Sequence, residues 1–294
     1  MKNMKGVKTS KMKKLKVYPI TEEKQSVILN AAKSTGAIVL PVFNELPNHC
    51  DLTFFQEKYN KEFLLECTAV WVIGTISTRM EKVIEYAMYQ GKQLYFFTLV
   101  NNKLINVKDV LSLFHDPKTP LCFIIKSYMD ELSLQDKKYE IERKWLLTEI
   151  PKNMNLLEKA SIEQFYLSTN PEVKIWKKEN EGFLPRCFIH IKENGTLKRN
   201  KISIPISYSK YEELKSLIAE NPIQKEWYLF GSSDIEIEIT KVDPGSSNEF
   251  IYAEVEFDSE KDAQEFSFPL NSIEITYDPK YKMKSYWNKT RKAG

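Results

Sequence analysis

The run KKYEIERKWLL, residues 137–147, decides how the second half of this chain is read. In an extended strand successive side chains alternate between two faces. Glu140, Glu142 and Lys144 therefore share one face, and Ile141, Arg143 and Trp145 share the other. Two acids and a base on one face of a strand flanked by hydrophobes describe either a solvated face or a polar interior. A second acidic alternation, FIYAEVEFDSE at 250–260, puts Glu254 and Glu256 on one face, with Val255 and Phe257 on the other.

Four carboxylates facing each other across a sheet or barrel would not hold together unaided. Two unit charges about 4 Å apart repel by roughly 1 kcal/mol in water, and by about 4 kcal/mol at the effective dielectric near a protein surface. Hard divalent cations such as Mg2+ or Mn2+ take carboxylate oxygens as ligands and usually share them with phosphates. Paired acidic strands thus predict a metal site, provided that the strands face each other.

From these residues onward the chain resembles the CYTH family, the triphosphate tunnel metalloenzymes. EIERKWLL (140–147) is similar to its opening ExExK strand, and ASIEQFYLS (160–168) to its second strand. FIHIKENGTLKR (188–199) is similar to a lysine-bearing strand, AEVEFDSEKDAQEF (253–266) to the late acidic strand and its helix, and SIEITYDPKY (272–281) to the closing segment. The resemblance covers roughly residues 138–290. It implies an antiparallel β tunnel with a polar interior, in which basic residues grip a triphosphate and acids hold one or two divalent cations. Carried over residue by residue, Glu140, Glu142, Glu254 and Glu256 would be metal ligands or water-positioning groups. Lys144 and Lys192 would contact phosphate oxygens, with Lys174, Arg199 and Lys225 as further substrate-binding groups. Glu140, Glu142 and Lys144 would be the catalytic set.

The chain also departs from that pattern. Where members carry an Arg-x-Arg pair it has VKIWKK (173–178): Lys174 supplies one charge, and Trp176 stands in the other place. Lysine lacks the planar fork that grips phosphate bidentately. LKRNKISIPI (197–206) offers Arg199 and Lys201 and no carboxylate, and QKEWYLF (224–230) keeps Lys225 but has Trp227 where an arginine is common. These tryptophans either pack or stack on a base.

The first 130 residues read differently. KLKVYPI, GAIVLPVF, AVWVIGTIS and GKQLYFFTLV are short apolar runs ended by Gly, Pro or polar turns, and EEKQSVILNAAKST and TRMEKVIEYAMYQG have helical spacing. Strands alternating with helices predict a small parallel α/β sheet. AVWVIGTISTRMEKVIEYAMYQGKQLYFF (69–97) resembles the later strand, turn and helix of nucleoside 2-deoxyribosyltransferase-like, Rossmann-like proteins. Their nucleophilic Glu would fall at Val83, so glycosyl transfer is not expected; Glu81 and Glu85 flank that position, and Arg79 stands where a small residue is usual. The turn Gly74 to Ser77 reads as a plain strand-to-helix turn, or as a cradle for phosphate or ribose. The expected layout is a basic tail over 1–16, a Rossmann-like α/β domain over 17–127, a linker over 128–138 and the tunnel domain over 139–294.

Composition bounds the rest. With 294 residues the chain exceeds a typical single domain, and 42% hydrophobic with 28% charged residues is ordinary for a globular protein. No run of 18 or more apolar residues predicts a membrane-crossing helix. Cys50, Cys67, Cys122 and Cys187 lack metal-ligand spacing and read as reduced thiols of a cytoplasmic protein. His49, His115 and His190 have no triad-like or zinc-binding company. A net charge of +3 does not predict a surface-wide nucleic-acid interface. Seven lysines in the first 16 residues, and six Lys or Arg in the last 15, form basic ends that read as solvated tails or, at the C-terminus, as a helix turned toward the tunnel.

The expected function is divalent-cation-dependent phosphohydrolysis of a nucleotide or other triphosphorylated small molecule, with an RNA 5′ end a less favoured substrate. The alternatives are a catalytically weak nucleotide-binding protein, acting as sensor or sequestering protein, and an adenylyl-cyclase-like enzyme.

Overall fold

The computed structural model describes residues 16–21, 25–32, 37–39, 67–101, 103–107, 109–114, 119–133, 139–231 and 235–292. The basic N-terminal tail, His49, Cys50 and His115 lie outside the described residues. The chain divides into two units, one from residues up to 76 and 94–108, the other from 77–93 and 109 onward.

The first unit is a five-stranded sheet in the order β2-β1-β3-β4-β5, from β1 (Lys16–Ile20), β2 (Ile38–Val39), β3 (Ala69–Ile73), β4 (Gln93–Val100) and β5 (Lys103–Asn106), with helix α1 at Gln25–Ala32. β1 pairs in parallel with β2 and β3, as the alternation of strands and helices predicts. β4 and β5 differ: they form an antiparallel hairpin, so the sheet is mixed. The cause is local, because Asn101 adopts φ 50°, a left-handed conformation that asparagine tolerates and that turns the chain straight back. All five residues of β3, AVWVI, are buried, as suits an apolar run with no polar alternation.

In the second unit strand parity is kept over most of the length. β6 (Glu140–Leu147), β7 (Leu156–Thr169), β8 (Glu172–Glu179), β9 (Arg186–Lys192), β10 (Lys198–Arg199), β11 (Lys201–Ile206), β12 (Ile223–Gly231), β13 (Glu236–Val242) and β14 (Phe250–Glu256) run antiparallel in the order β10-β6-β14-β13-β12-β7-β8-β9-β11, with β15 (Ile273–Glu274) on β6. β10 and β11 are one segment interrupted at Asn200. Its start pairs with β6 (Arg199↔Glu140) and its remainder with β9 (Lys201↔Lys192), which joins the two ends of the sheet into a tunnel.

The odd residues of β6 face outward. Trp145 stacks on Phe268 at 4.3 Å in a cluster with Ile237, Ile239, Ala253 and Val255. Arg143 is fixed by Glu274 and by the carbonyls of Ala263 and Phe266. A second cluster holds Phe165, Tyr211, Ile223 and Trp287.

Among the described residues five helices belong to this unit: α2 (Thr78–Tyr89), α3 (Pro120–Ser133), α4 (Tyr208–Lys215), α5 (Glu260–Glu265) and α6 (Met283–Arg291). The boundary expected between residues 127 and 128 falls inside α3, whose apolar stripe of Leu121, Ile124, Ile125, Tyr128 and Leu132 is buried. Residues 128–133, expected as linker, are helical for that reason. Glu85 on α2 accepts from the Leu184 amide at 2.7 Å, a structural use of that carboxylate. The C-terminal basic stretch is not a free tail. α6 buries Met283, Tyr286 and Trp287, and Arg291 pairs with Asp243 at 2.6 Å. Cys67, Cys122 and Cys187 are buried and, among the described residues, form no disulfide. Among the described residues no helix is long and apolar enough to cross a membrane.

Candidate functional site: an ionic tunnel lumen

The inward parity of the tunnel strands lines a cavity of about 890 Å3. Every residue singled out in the sequence as metal-ligating or phosphate-binding lines it: Glu140, Glu142, Lys144, Lys174, Lys192, Arg199, Lys225, Glu254 and Glu256. Charged side chains can stay inside only because they meet one another or water, since an isolated buried charge is far too costly.

Register sets the acidic group. β14 pairs with β6 so that Glu256 lies opposite Glu142 and Glu254 opposite Lys144. Carboxylate oxygens of Glu140, Glu142 and Glu256 consequently gather within 4.8 Å of one another. Glu254 stands outside this trio, because Lys144 bonds it directly and reaches Glu142 at 3.4 Å. Of the four glutamates expected together, the fold therefore groups three and gives the fourth to a lysine. Lys144 in turn is tied to two acids.

Glu140 is the hub of the basic side. Lys192 Nζ approaches it at 3.0 Å, Arg199 Nε at 2.9 Å and Lys201 Nζ at 3.1 Å. Burial alone would raise its carboxyl, but Lys192, Lys201 and Arg199 hold it well below the usual carboxylate range. Glu142 is buried too, yet Arg199, 2.5 Å away, outweighs that and keeps it at about 2. Glu256 behaves oppositely. Its side chain is exposed to the cavity, but burial by the protein around it, and then Glu140, Glu238 and Glu142, push its carboxyl up to about 8 against the pull of Lys201. Three crowded carboxylates fit a hard divalent cation as a donor set, and such a cation would relieve the like-charge crowding that raises Glu256.

The facing wall carries unneutralised cations. Among the described residues no carboxylate forms an ion pair with Lys174 or Lys225. Burial, then Lys192 and Lys225, lowers the Lys174 ammonium well below the usual lysine range. Lys225 is lowered to about 8, by burial first and then by Lys144 and Lys192, against Glu254. Its Nζ donates to Gln164 Oε1 at 2.9 Å, and Gln164 Nε2 is buried with no hydrogen-bond partner among the described residues.

Trp176 and Trp227, standing where arginines are common in the family, both line the lumen and are both packed. Trp176 stacks on Phe188 at 5.2 Å and donates Nε1–H to His190 Nε2 at 2.8 Å. Trp227 carries Lys178 Nζ over its ring at 3.2 Å and donates to Glu238 Oε2 at 2.8 Å.

Several lumen residues were not singled out from the sequence. Glu238 sits opposite Glu254 in the β13–β14 register, and its carboxyl is pushed up to about 7 by burial and by Glu254. The alternation in DIEIEIT (234–240) could have revealed it. Lys201 shares the parity of Arg199, and Lys178 that of Lys174 and Trp176. Glu131 had no strand signal, because it lies on a helix.

An antiparallel tunnel whose ionic lumen holds a carboxylate trio together with two lysines, Lys174 and Lys225, that form no ion pair among the described residues is the class that this fold and site define. No family model matches the sequence, and no curated protein matches it. Solved structures do match. The inorganic triphosphatase NE1496 is 26% identical, with 50% of this chain and 93% of that one covered and a TM-score of 0.37. A conserved hypothetical protein from Pyrococcus furiosus is 17% identical, with 43% and 84% covered and a TM-score of 0.32. The Hippeastrum protein HpAC1, described as having a dominant triphosphatase activity, is 8% identical, with 43% and 82% covered and a TM-score of 0.29.

Proposed function

We propose that the tunnel unit is a CYTH-like, divalent-cation-dependent phosphohydrolase acting on a nucleotide or other triphosphorylated small molecule. The observation that carries this reading is the polarised lumen, a carboxylate trio within 4.8 Å facing lysines without carboxylate partners in one cavity. Glu140, Glu142 and Glu256 would hold Mg2+ or Mn2+, which when bound supplies charge neutralisation and Lewis acidity at the phosphate oxygens. Lys174, Lys192 and Lys225 bind the remaining oxygens as point charges. A phosphate chain near Lys174 offsets the burial and the like-charge crowding that lower its ammonium, so binding raises it again. Arg199 bonds Glu140 and Glu142 together and orients both carboxylates. Water then attacks the terminal phosphorus, releasing orthophosphate and the shortened chain. Catalysis of this kind is mostly positioning and electrostatic stabilisation, which fixed charges in a narrow lumen provide.

A second reading has its own support. Glu140 is already engaged by three cations, which leaves less of its charge for a metal and suits a catalytically weak nucleotide-binding protein. An adenylyl-cyclase-like enzyme would use the same lumen with a ribose hydroxyl as the attacking oxygen. All three separate in one experiment. The protein is incubated with nucleoside triphosphates, thiamine triphosphate and inorganic triphosphate plus Mg2+ or Mn2+, and products are read by mass spectrometry beside a Glu256→Gln control. A metal-dependent, hydrolysed product absent from the control is expected. A cyclic product would identify the cyclase, and nucleotide retained unchanged would identify the binder. Glu256 is the better control because Glu140→Gln would also strand three cations.

A further inference from the structure

Helix α3 is not a tunnel strand, yet it reaches into the lumen. Phe123, Lys126, Ser127, Asp130 and Glu131 all line the cavity. The helix is fixed in place by polar contacts at successive turns. Arg186 Nη1 donates to the Ile124 carbonyl at 2.7 Å, Lys178 Nζ to Ser127 Oγ at 3.0 Å, and Lys126 pairs with Glu236 at 2.8 Å. Tyr128 packs on Phe188 at 5.2 Å.

These anchors deliver Glu131 to the basic wall. Its Oε2 lies 3.4 Å from Lys201 Nζ, accepts from Ser203 Oγ at 3.1 Å, and is 3.1 Å from His190 Nε2. His190 Nε2 already accepts the Trp176 proton, so it cannot at the same time donate to Glu131. In that neutral form its own proton sits on Nδ1, which is buried with no hydrogen-bond partner among the described residues. Lys201 also bonds Glu140, a member of the acidic trio, at 3.1 Å. One lysine thus links the trio on one side to a carboxylate from α3 on the other.

We infer that Glu131 occupies an anion position built from Lys201 and Ser203, and so limits the number of consecutive phosphates that the lumen accepts. The inference rests on the phosphohydrolase reading and names a specificity-determining residue for it. A carboxylate fixed at that point has the charge and acceptor geometry of a phosphate oxygen. It satisfies the cation there, and it repels a further phosphate extending from Lys174 and Lys192. The lumen accordingly favours triphosphates over tetraphosphates and longer linear chains. Without Glu131, the cationic track continues by one position.

The test measures binding of inorganic triphosphate and inorganic tetraphosphate to the full chain by calorimetry, with and without Mg2+. The variants are Glu131→Gln, which removes the charge and keeps the shape, and Asp130→Asn, which removes a neighbouring α3 charge that pairs with Lys126 instead. Melting temperature reports folding of each. The expected result is that Glu131→Gln shifts the tetraphosphate-to-triphosphate affinity ratio toward tetraphosphate by about tenfold or more, since like charges at close range cost that much or more. Asp130→Asn leaves the ratio unchanged. An unchanged ratio in Glu131→Gln, or equal loss of both ligands, overturns the inference and leaves the phosphohydrolase reading standing. Equal gains in both variants would mean a diffuse field effect and would also overturn it. If the wild-type chain binds neither phosphate, the functional reading itself fails and the inference falls with it.

Discussion

The two units solve the same problem, the inside of a sheet, with opposite chemistry. In the first, Val17, Ala69, Trp71 and Ile73 form an apolar interior with Ile28 and Ala32. In the second, the cluster around Trp145 and Ile239 lies on the outer face of the wall, and the enclosed face carries glutamates, lysines and an arginine beside aromatic residues such as Trp176 and Tyr252. An apolar interior is stabilised by burial itself, at about 25 cal/mol per Å2 removed from water. An ionic interior costs desolvation and recovers it only where charges pair well. Lys174, Lys225 and Glu256 are where pairing is incomplete, and incomplete pairing is what a ligand can use. Truncation should therefore cost stability in the first unit and function in the second.

The largest expected effect is in the apolar unit. Trp71→Ala should destabilise the protein by about 3–5 kcal/mol in urea unfolding, through lost burial and the cavity left behind. A loss below about 1 kcal/mol would mean that this interior collapses around the gap and would weaken the contrast. In the tunnel, Glu256→Gln should reduce metal-dependent hydrolysis roughly a hundredfold without lowering the melting temperature of the metal-free protein. The magnitude is in the range that losses at metal sites reach. The unchanged melting temperature follows from its raised carboxyl. Between about pH 4.5 and 8 the folded state holds a proton that the unfolded state releases, so this group costs stability as pH rises through that window. A clear drop in melting temperature would show that Glu256 is structural.

Lys174→Gln should weaken triphosphate binding about tenfold while leaving the melting temperature equal or higher, because it removes a group whose charged form is disfavoured by burial and by Lys192 and Lys225. Loss of affinity and stability together would make that lysine a packing residue. The smallest effect is a pH dependence. Lys225, lowered to about 8, should lose its proton as pH rises through that value, and triphosphate affinity should fall with it. For stability the sign is reversed. From about pH 8 to 10.5 the unfolded chain binds the proton that the folded one has lost, so this lysine's contribution rises with pH. Lys225→Arg, charged throughout, should flatten the affinity profile; an unaltered profile would assign the pH dependence to another group.

Much of the candidate site was legible because strand parity is a local property. EIERKWLL and AEVEF each announce which side chains share a face, and all nine residues read as site groups do line one cavity. Local parity does not fix which residue lies opposite which. The partner of Glu254 is Lys144, and the partner of Glu256 is Glu142, because β14 and β6 meet in one register and not another. A slip of β14 by two residues would have preserved every face and changed both of these oppositions.

The sequence by itself determined the alternation of apolar and charged faces, the strand and helix segments, and the stock of charges to be enclosed. Only the tertiary structure decided that β10 and β11 split at Asn200 to close the wall, that three glutamates gather while the fourth is neutralised, and that α3 sends Glu131 onto Lys201. The physical reason is range. Side-chain direction along a strand follows from backbone geometry a residue at a time, whereas ion pairs inside a tunnel depend on the placement of segments about 50 to 110 residues apart in the chain, as for Lys192–Glu140 and Lys144–Glu254.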